Sequence, residues 1–311
     1  MHNSIEQSAR CVRHRYVEAD GVRLFYREAG RAGLPVMLLL HGFPSSSHQY
    51  RHLLPLLADK FRVIAPDLPG FGFTNVPAER GYRYSFASLA ETLAALIVAL
   101  KLERYSLYLF DHGALVGMRL ALLQPERVDG LISQNGNLYD EGFSEAWAPI
   151  KEYWGNPSTR NRQIVRDVLL SGEALRRHYL EGMQEPELVA PESMLLDSIL
   201  LERLDNKDIQ LDLIHDYFNN LELFPPFQAW LRQSRFPVLV VWGRNDPFFL
   251  PEGAEAFKRD VSHAVIELLE TGRFALESHC QQIADLAISV IGMALCKLPH
   301  EVRGRDDDYS E

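Results

Sequence analysis

Cysteine is scarce: Cys11, Cys280 and Cys296 are the only three in 311 residues, and no pair has C-x-x-C spacing. That odd, scattered set excludes a disulfide framework and a structural zinc site, and points to a reduced, cytoplasmic setting. Long hydrophobic runs are missing too. The most apolar stretches, VMLLL and LAALIVAL, fall far short of the roughly 20 residues a membrane-spanning helix needs. The opening MHNSIEQSAR lacks the apolar segment of a secretory leader, so none is expected. Positive charge is in deficit. The formal net charge of −10 argues against nucleic acid or an anionic membrane as partner. No His, Cys, Asp or Glu cluster has metal-ligand spacing, so neither metal nor cofactor is expected. Internal repeats and low-complexity segments are also missing.

What remains is ample apolar content, 47% of residues, enough for one large core. RHRYVEADGVRLFYREAG alternates around Asp20-Gly21, a dipeptide favoured in tight turns, and reads as an antiparallel hairpin. Wholly apolar strands then alternate with helices. PVMLLL leads to a helix near 48–58, FRVIAP to a Pro/Gly-rich loop, and SFASLAETLAALIVAL is a broad-faced helix. YSLYLF precedes the helix GALVGMRLALLQPE, and VDGLISQNG is a further strand. Such alternation predicts a mostly parallel sheet covered on both faces. From Asn137 to Gln233 the chain reads as helical and rich in Trp and Tyr. Strand patterning returns at FPVLVVWG and AVIELLE, followed by a helix from about Phe274. The expected organisation is a core of 12–136 plus 234–298, a helical insertion of 137–233, and flexible tails at 1–11 and 299–311.

Ligands of open α/β sheets bind beyond the carboxyl ends of the strands. Those ends carry His41-Gly42-Phe43-Pro44, Asp67-Leu68-Pro69-Gly70, Asp111-His112-Gly113, Asp246-Pro247 and Gly272-Arg273. In LYLFDHGALVG the strand runs straight into Asp111, and Gly113 opens a helix. A carboxylate there points into a cleft beside a helix N-terminus that favours its anionic form, or it merely caps that helix.

The order of these features resembles the α/β-hydrolase family over nearly the whole chain. HGFP looks like its oxyanion loop, DLPGFG its following turn, FDHGA its nucleophile elbow and VVWGRNDPFF the loop bearing the triad acid. The helical insertion takes the place of the family's cap. With Asp111 where Ser or Cys often stands, the chain is similar to the haloalkane dehalogenase and epoxide hydrolase branch. The resemblance implies that Asp111 forms an alkyl ester with a small apolar electrophile. It further implies that Asp246 orients the base which hydrolyses that ester, and that the Phe43 and His112 amides form the oxyanion hole.

Four positions depart from the pattern. Leu109 stands where the family prefers a small residue and predicts a wider elbow. Phe43 and His112 occupy places where dehalogenases often carry Asn and Trp. Above all, the slot of the catalytic histidine holds Arg273, in Gly272-Arg273-Phe274. A guanidinium stays protonated and has no acceptor lone pair, so it cannot be a general base. Placed between Asp111 and Asp246, it is expected to bridge both and lower their pKa values, or else to bind an anionic ligand group. His279 is expected inside the last helix, His41 in a structural hydrogen bond, and His263 at the wrong edge of the sheet. Tyr153, with Trp154 beside it, is the chosen cap residue for the substrate pocket, ahead of Tyr139, Tyr179 and Tyr217. Two readings stay open: an Asp-nucleophile hydrolase lacking its base, or a fold repurposed for cyclase- or lyase-type chemistry or for ligand binding. The expected partners are a small apolar organic molecule and at most a second copy of the chain.

Overall fold

A computed structural model describes residues 10–296. The expected tails fall outside the described residues apart from Arg10 and Cys11, and Cys11 is exposed. Strands β1 (Arg13–Ala19) and β2 (Val22–Ala29) form the hairpin. At its turn Asp20 and Gly21 have φ of 54° and 67°, a left-handed pair that Asp and Gly tolerate best. Next come β3 (Val36–Leu40), α1 (Leu53–Leu57), β4 (Arg62–Pro66), α2 (Phe86–Ala99), β5 (Tyr105–Phe110), α3 (His112–Leu123) and β6 (Val128–Gln134). The sheet closes with β7 (Val238–Gly243) and β8 (Val265–Leu269), in the order β1-β2-β4-β3-β5-β6-β7-β8. β2 is antiparallel to both β1 and β4, and every later pairing is parallel.

Side chains alternate across the strands, so the sheet separates two cores. Leu38, Leu40, Leu107 and Leu109 face α2 and α3. Met37, Leu39, Tyr108 and Ile132 face α1 and the terminal helix α11 (Cys280–Ala287). Between β6 and β7 lie α4 (Ala148–Gly155), α5 (Thr159–Leu170), α6 (Gly172–Leu180), α7 (Pro191–Leu201), α8 (Asn206–Asp216) and α9 (Phe224–Gln233). Serines start two of these helices. Ser158 accepts from the Asn161 amide at 3.3 Å and Ser171 from the Ala174 amide at 3.2 Å, each satisfying an N-terminal donor. α10 (Pro251–Asp260) links β7 to β8. Among the described residues no helix is long and apolar enough to cross a membrane.

Two helices begin later than their sequence patterns predict. The segment near 48–58 splits into a 3-10 turn, Ser47–Tyr50, and α1. The last helix starts at Cys280 rather than Phe274. Phe274 is turned inward to stack on Tyr179, 4.0 Å between ring centroids, and the next turn is the 3-10 segment Ala275–Glu277. An amphipathic pattern cannot distinguish that inward turn from a first helical turn.

Candidate active site

The turn from β5 to α3 carries the least ordinary backbone near the sheet's carboxyl edge. Asp111 has φ 49° and ψ −120°, a conformation costly for a residue with a Cβ. Its neighbours make room. A Cβ on Gly113 would lie 2.2 Å from the Leu40 carbonyl oxygen, and one on Gly42 would lie 2.3 Å from Cβ of Asp111. The bulk of Leu109 is absorbed one helical layer away. A Cβ on Gly117 would fall 2.3 Å from Leu109 Cδ2, so the bare glycine is the space that Leu109 occupies. The elbow therefore forms with a large residue at 109.

The Asp111 side chain is 3% exposed in total residue terms, and both oxygens are engaged. Oδ1 accepts from the Phe43 amide at 2.6 Å, while Oδ2 accepts from the Arg273 guanidinium in a buried ion pair. Among the described residues the His112 amide donates nothing to Asp111. Arg273, also 3% exposed, sits in a nest of aromatic rings, its guanidinium carbon 5.2 Å from Phe248, 5.3 Å from Phe249 and 5.8 Å from Phe110. Such rings offer a buried cation partial compensation for lost water. Among the described residues Arg273 Nε has no hydrogen-bond partner.

The expected bridge to Asp246 does not form. Asp246 Oδ2 instead accepts from Asn135 Nδ2 at 2.9 Å and Oδ1 from the Phe248 amide at 2.8 Å. Asn135 is itself fixed by accepting from the Gly243 amide at 2.9 Å. Asp246 also departs from the expected downward shift. Burial pushes its pKa up to about 6, against the opposing pull of Arg273 and these hydrogen bonds. Asn135 escaped sequence reading, although its place in Gln-Asn-Gly at the carboxyl end of β6 was the available signal.

Asp111 and Arg273 line a cavity with Phe43, His112, Trp147, His178 and Tyr217 among its walls. Its free volume is about 20 Å³, room for about one water. Tyr153 lies elsewhere: its hydroxyl accepts from Arg162 at 2.9 Å, and its ring lines a separate groove with Asp212 and His215. Trp154 stands behind the cavity, donating to the Ile214 carbonyl at 2.8 Å and stacking on Tyr217 at 5.7 Å. Trp147 and Tyr217 are thus the aromatic wall the insertion presents to Asp111.

The other histidines are distributed by role. His41 accepts from the Leu68 amide at 3.0 Å and ties the β3 loop to the β4 loop. His279 precedes α11 rather than lying within it, its Nδ1 2.8 Å from Ser278 Oγ. His263 is exposed and bonds the Phe236 carbonyl. His112 is buried against Phe43, Phe71, Phe86 and Tyr217, and burial lowers its pKa to about 4. His178 was not singled out by sequence, because on α6 it reads as one more apolar-face position. It is 1% exposed, and among the described residues neither ring nitrogen makes a close hydrogen bond, the Leu169 carbonyl being the polar group it faces.

The family profile for the alpha/beta hydrolase fold matches residues 35–175. An uncharacterized hydrolase of Saccharomyces cerevisiae, YNR064C, is 46% identical over 281 residues, covering 89% of this chain and 96% of that protein. Epoxide hydrolase 2 of Caenorhabditis elegans is 28% identical over 251 residues, covering 78% of this chain and 69% of its own. Among solved structures, haloalkane dehalogenase DbeA from Bradyrhizobium elkani shares the fold with a TM-score of 0.72. It is 23% identical and covers 90% of this chain and 98% of its own. Matched along nearly its full length by a relative of such identity, with a carboxylate on the elbow of an eight-stranded sheet, the chain belongs to the α/β-hydrolase family.

Proposed function

We propose that the protein is an Asp-nucleophile enzyme acting on a small apolar epoxide or alkyl halide, with α4–α9 as its cap. The observation that carries this reading is Asp111 on the strained elbow, lining the cavity, with one oxygen held by the Phe43 amide and the other paired with Arg273. A carboxylate is ionised at neutral pH and attacks without a base. One Asp111 oxygen forms a bond to the substrate carbon, and the bond from that carbon to halide or epoxide oxygen breaks. Tyr217, on the cavity wall, is the group positioned to give a proton to an epoxide oxygen. Trp147 and Phe43 supply the apolar surface that receives the substrate's carbon skeleton.

Arg273 opposes the chemistry in two ways. It draws charge from the attacking carboxylate, and it supplies no base to the ester that follows. Alkylation also removes the negative partner of a buried guanidinium, and losing such a partner typically costs about 3–5 kcal/mol. The expected consequence is slow ester formation and much slower release. Incubation with propylene oxide or ethyl bromide should leave one alkyl group per chain on the tryptic peptide containing Asp111, and Asp111→Asn should carry none. Arg273→His should raise steady-state turnover on the order of 10²-fold or more, the scale of a restored general base.

The buried Arg273–Asp111 pair favours a second reading, in which the carboxylate is silenced and Arg273 clamps an anionic group during a non-hydrolytic reaction or simple binding. That reading requires Arg273→Ala to abolish binding or activity and Arg273→His to yield no hydrolysis. Absence of any Asp111 adduct, together with an inactive Arg273→His protein, would transfer the case to it.

A further inference from the structure

Building on the Asp111 reading, we propose that His178, carried by α6 of the cap, is the base that hydrolyses the Asp111 ester in place of the residue missing at 273. The cavity that touches Asp111 also touches His178, and it has room for about one water. His178 is 1% exposed, and among the described residues neither ring nitrogen makes a close hydrogen bond; with the N–H turned to the Leu169 carbonyl, the other nitrogen is an acceptor for a water in the cavity. The flank matters as much as the burial. His178 stacks on Phe248 at 4.9 Å, and the same Phe248 ring lies 5.2 Å from the Arg273 guanidinium carbon. His178 therefore stands on the side of the cavity served by the loops after β7 and β8. His112, a second imidazole of the cavity wall, shares Phe43 with His178 but otherwise packs on Phe71, Phe86 and Tyr217.

The step balances without a further reactant. The water oxygen bonds to Cγ of Asp111 while one water proton passes to His178. The resulting oxyanion stays on the Phe43 amide. Collapse breaks the bond between Cγ and the alkyl-bearing oxygen, and the departing alkoxide takes the proton from His178. The second water proton leaves as the Asp111 carboxyl ionises. A vicinal diol or an alcohol is released, and Asp111 keeps the oxygen from water.

Burial holds the pKa of His178 well below the ordinary value, helped by Arg273 from the β8 loop, Arg177 on its own helix and His112 from α3, and opposed by the Leu169 carbonyl on α5. His178 is accordingly neutral, and competent, across neutral and mildly acidic pH. The test follows the ester formed from propylene oxide by intact mass after excess reagent is removed. Decay should be at least tenfold slower in His178→Ala than in the parent protein, and added imidazole should restore it. In the parent, decay should stay level as pH falls through about 6.5, the ordinary imidazole pKa. Equal decay in the two proteins, no rescue by imidazole, or slowing confined to adduct formation overturns the role of His178. No adduct in the parent overturns the Asp111 reading itself.

Discussion

At the scale of single residues, the elbow shows how one departure from a pattern is absorbed by another. Leu109 is larger than the position ordinarily takes, and the strain it implies is absent because Gly117 supplies the missing volume. The pair should behave as a unit. Adding a methyl in Gly117→Ala drives Cβ to 2.3 Å from Leu109 Cδ2 and 2.9 Å from Leu40 Cδ1. Overpacking of that kind costs about 1–3 kcal/mol. Leu109→Ala alone leaves a hole in a fully buried site and should cost about 2–5 kcal/mol. Combined, the two should cost less than their sum by about 1 kcal/mol, a coupling that urea denaturation of the four proteins measures. The identity of Leu109 was legible in the sequence; its accommodation was not, because it depends on a residue eight positions on that only the elbow brings back against it. Arg273 was legible in the same partial way. Its slot followed from motif order, but the choice of Asp111 over Asp246 rests on Asn135, which already holds the second carboxylate.

At the scale of elements, α6 explains why the insertion's contribution was misread. Successive helical residues point about 100° apart. His178 turns toward the cavity, whereas Tyr179 turns to Phe274 and donates to Asp197 at 2.6 Å. Periodicity marks the apolar face of a helix but not which cavity that face meets, so Tyr153 was preferred to Tyr217 on sequence alone. The strands posed no such difficulty, since an uninterrupted apolar run such as Tyr105–Phe110 has one economical place in a doubly covered sheet. Polar contacts add to the apolar packing that joins the insertion to the core. Glu277 pairs with Arg51 at 2.7 Å and also accepts from the Ala190 amide at 3.4 Å and Ser193 Oγ at 3.3 Å, at the start of α7. Glu277→Ala strands a mostly buried guanidinium and frees that helix start. The expected loss is about 3 kcal/mol, the low end for a broken buried pair because Arg51 retains some contact with water. Thermal unfolding followed by circular dichroism checks it.

At the scale of the whole molecule, buried ionisable groups set opposing slopes of stability with pH. Burial lowers the pKa of His112 to about 4, so the folded chain binds fewer protons than the unfolded chain between that value and 6.5. Over that interval His112, and His178 with it, makes stability rise with pH. Asp246 acts the other way. Its folded pKa of about 6 exceeds the ordinary 3.8, so its contribution is present below 3.8 and lost as pH climbs through 6. Asp197 has the same sign and a wider window. Burial, with the carboxylates of Asp67 and Glu277, raises its pKa to about 8 against the hydrogen bonds of Tyr179 and Ser45, so its contribution drains away up to that pH. From 6.5 to 8 the histidines and Asp246 complete their titrations with opposite signs, leaving Asp197 to govern the slope. The parent protein should therefore lose about 2 kcal/mol on passing from pH 6.5 to beyond pH 8, at about 1.36 kcal/mol for each pH unit below the folded pKa of about 8. Asp197→Asn is nearly isosteric with the protonated acid and still accepts from Tyr179, so it should match the parent at pH 6.5 and remain level to pH 8. Midpoints of urea unfolding across that range decide the matter. Parallel slopes in the two proteins would place the titrating group elsewhere.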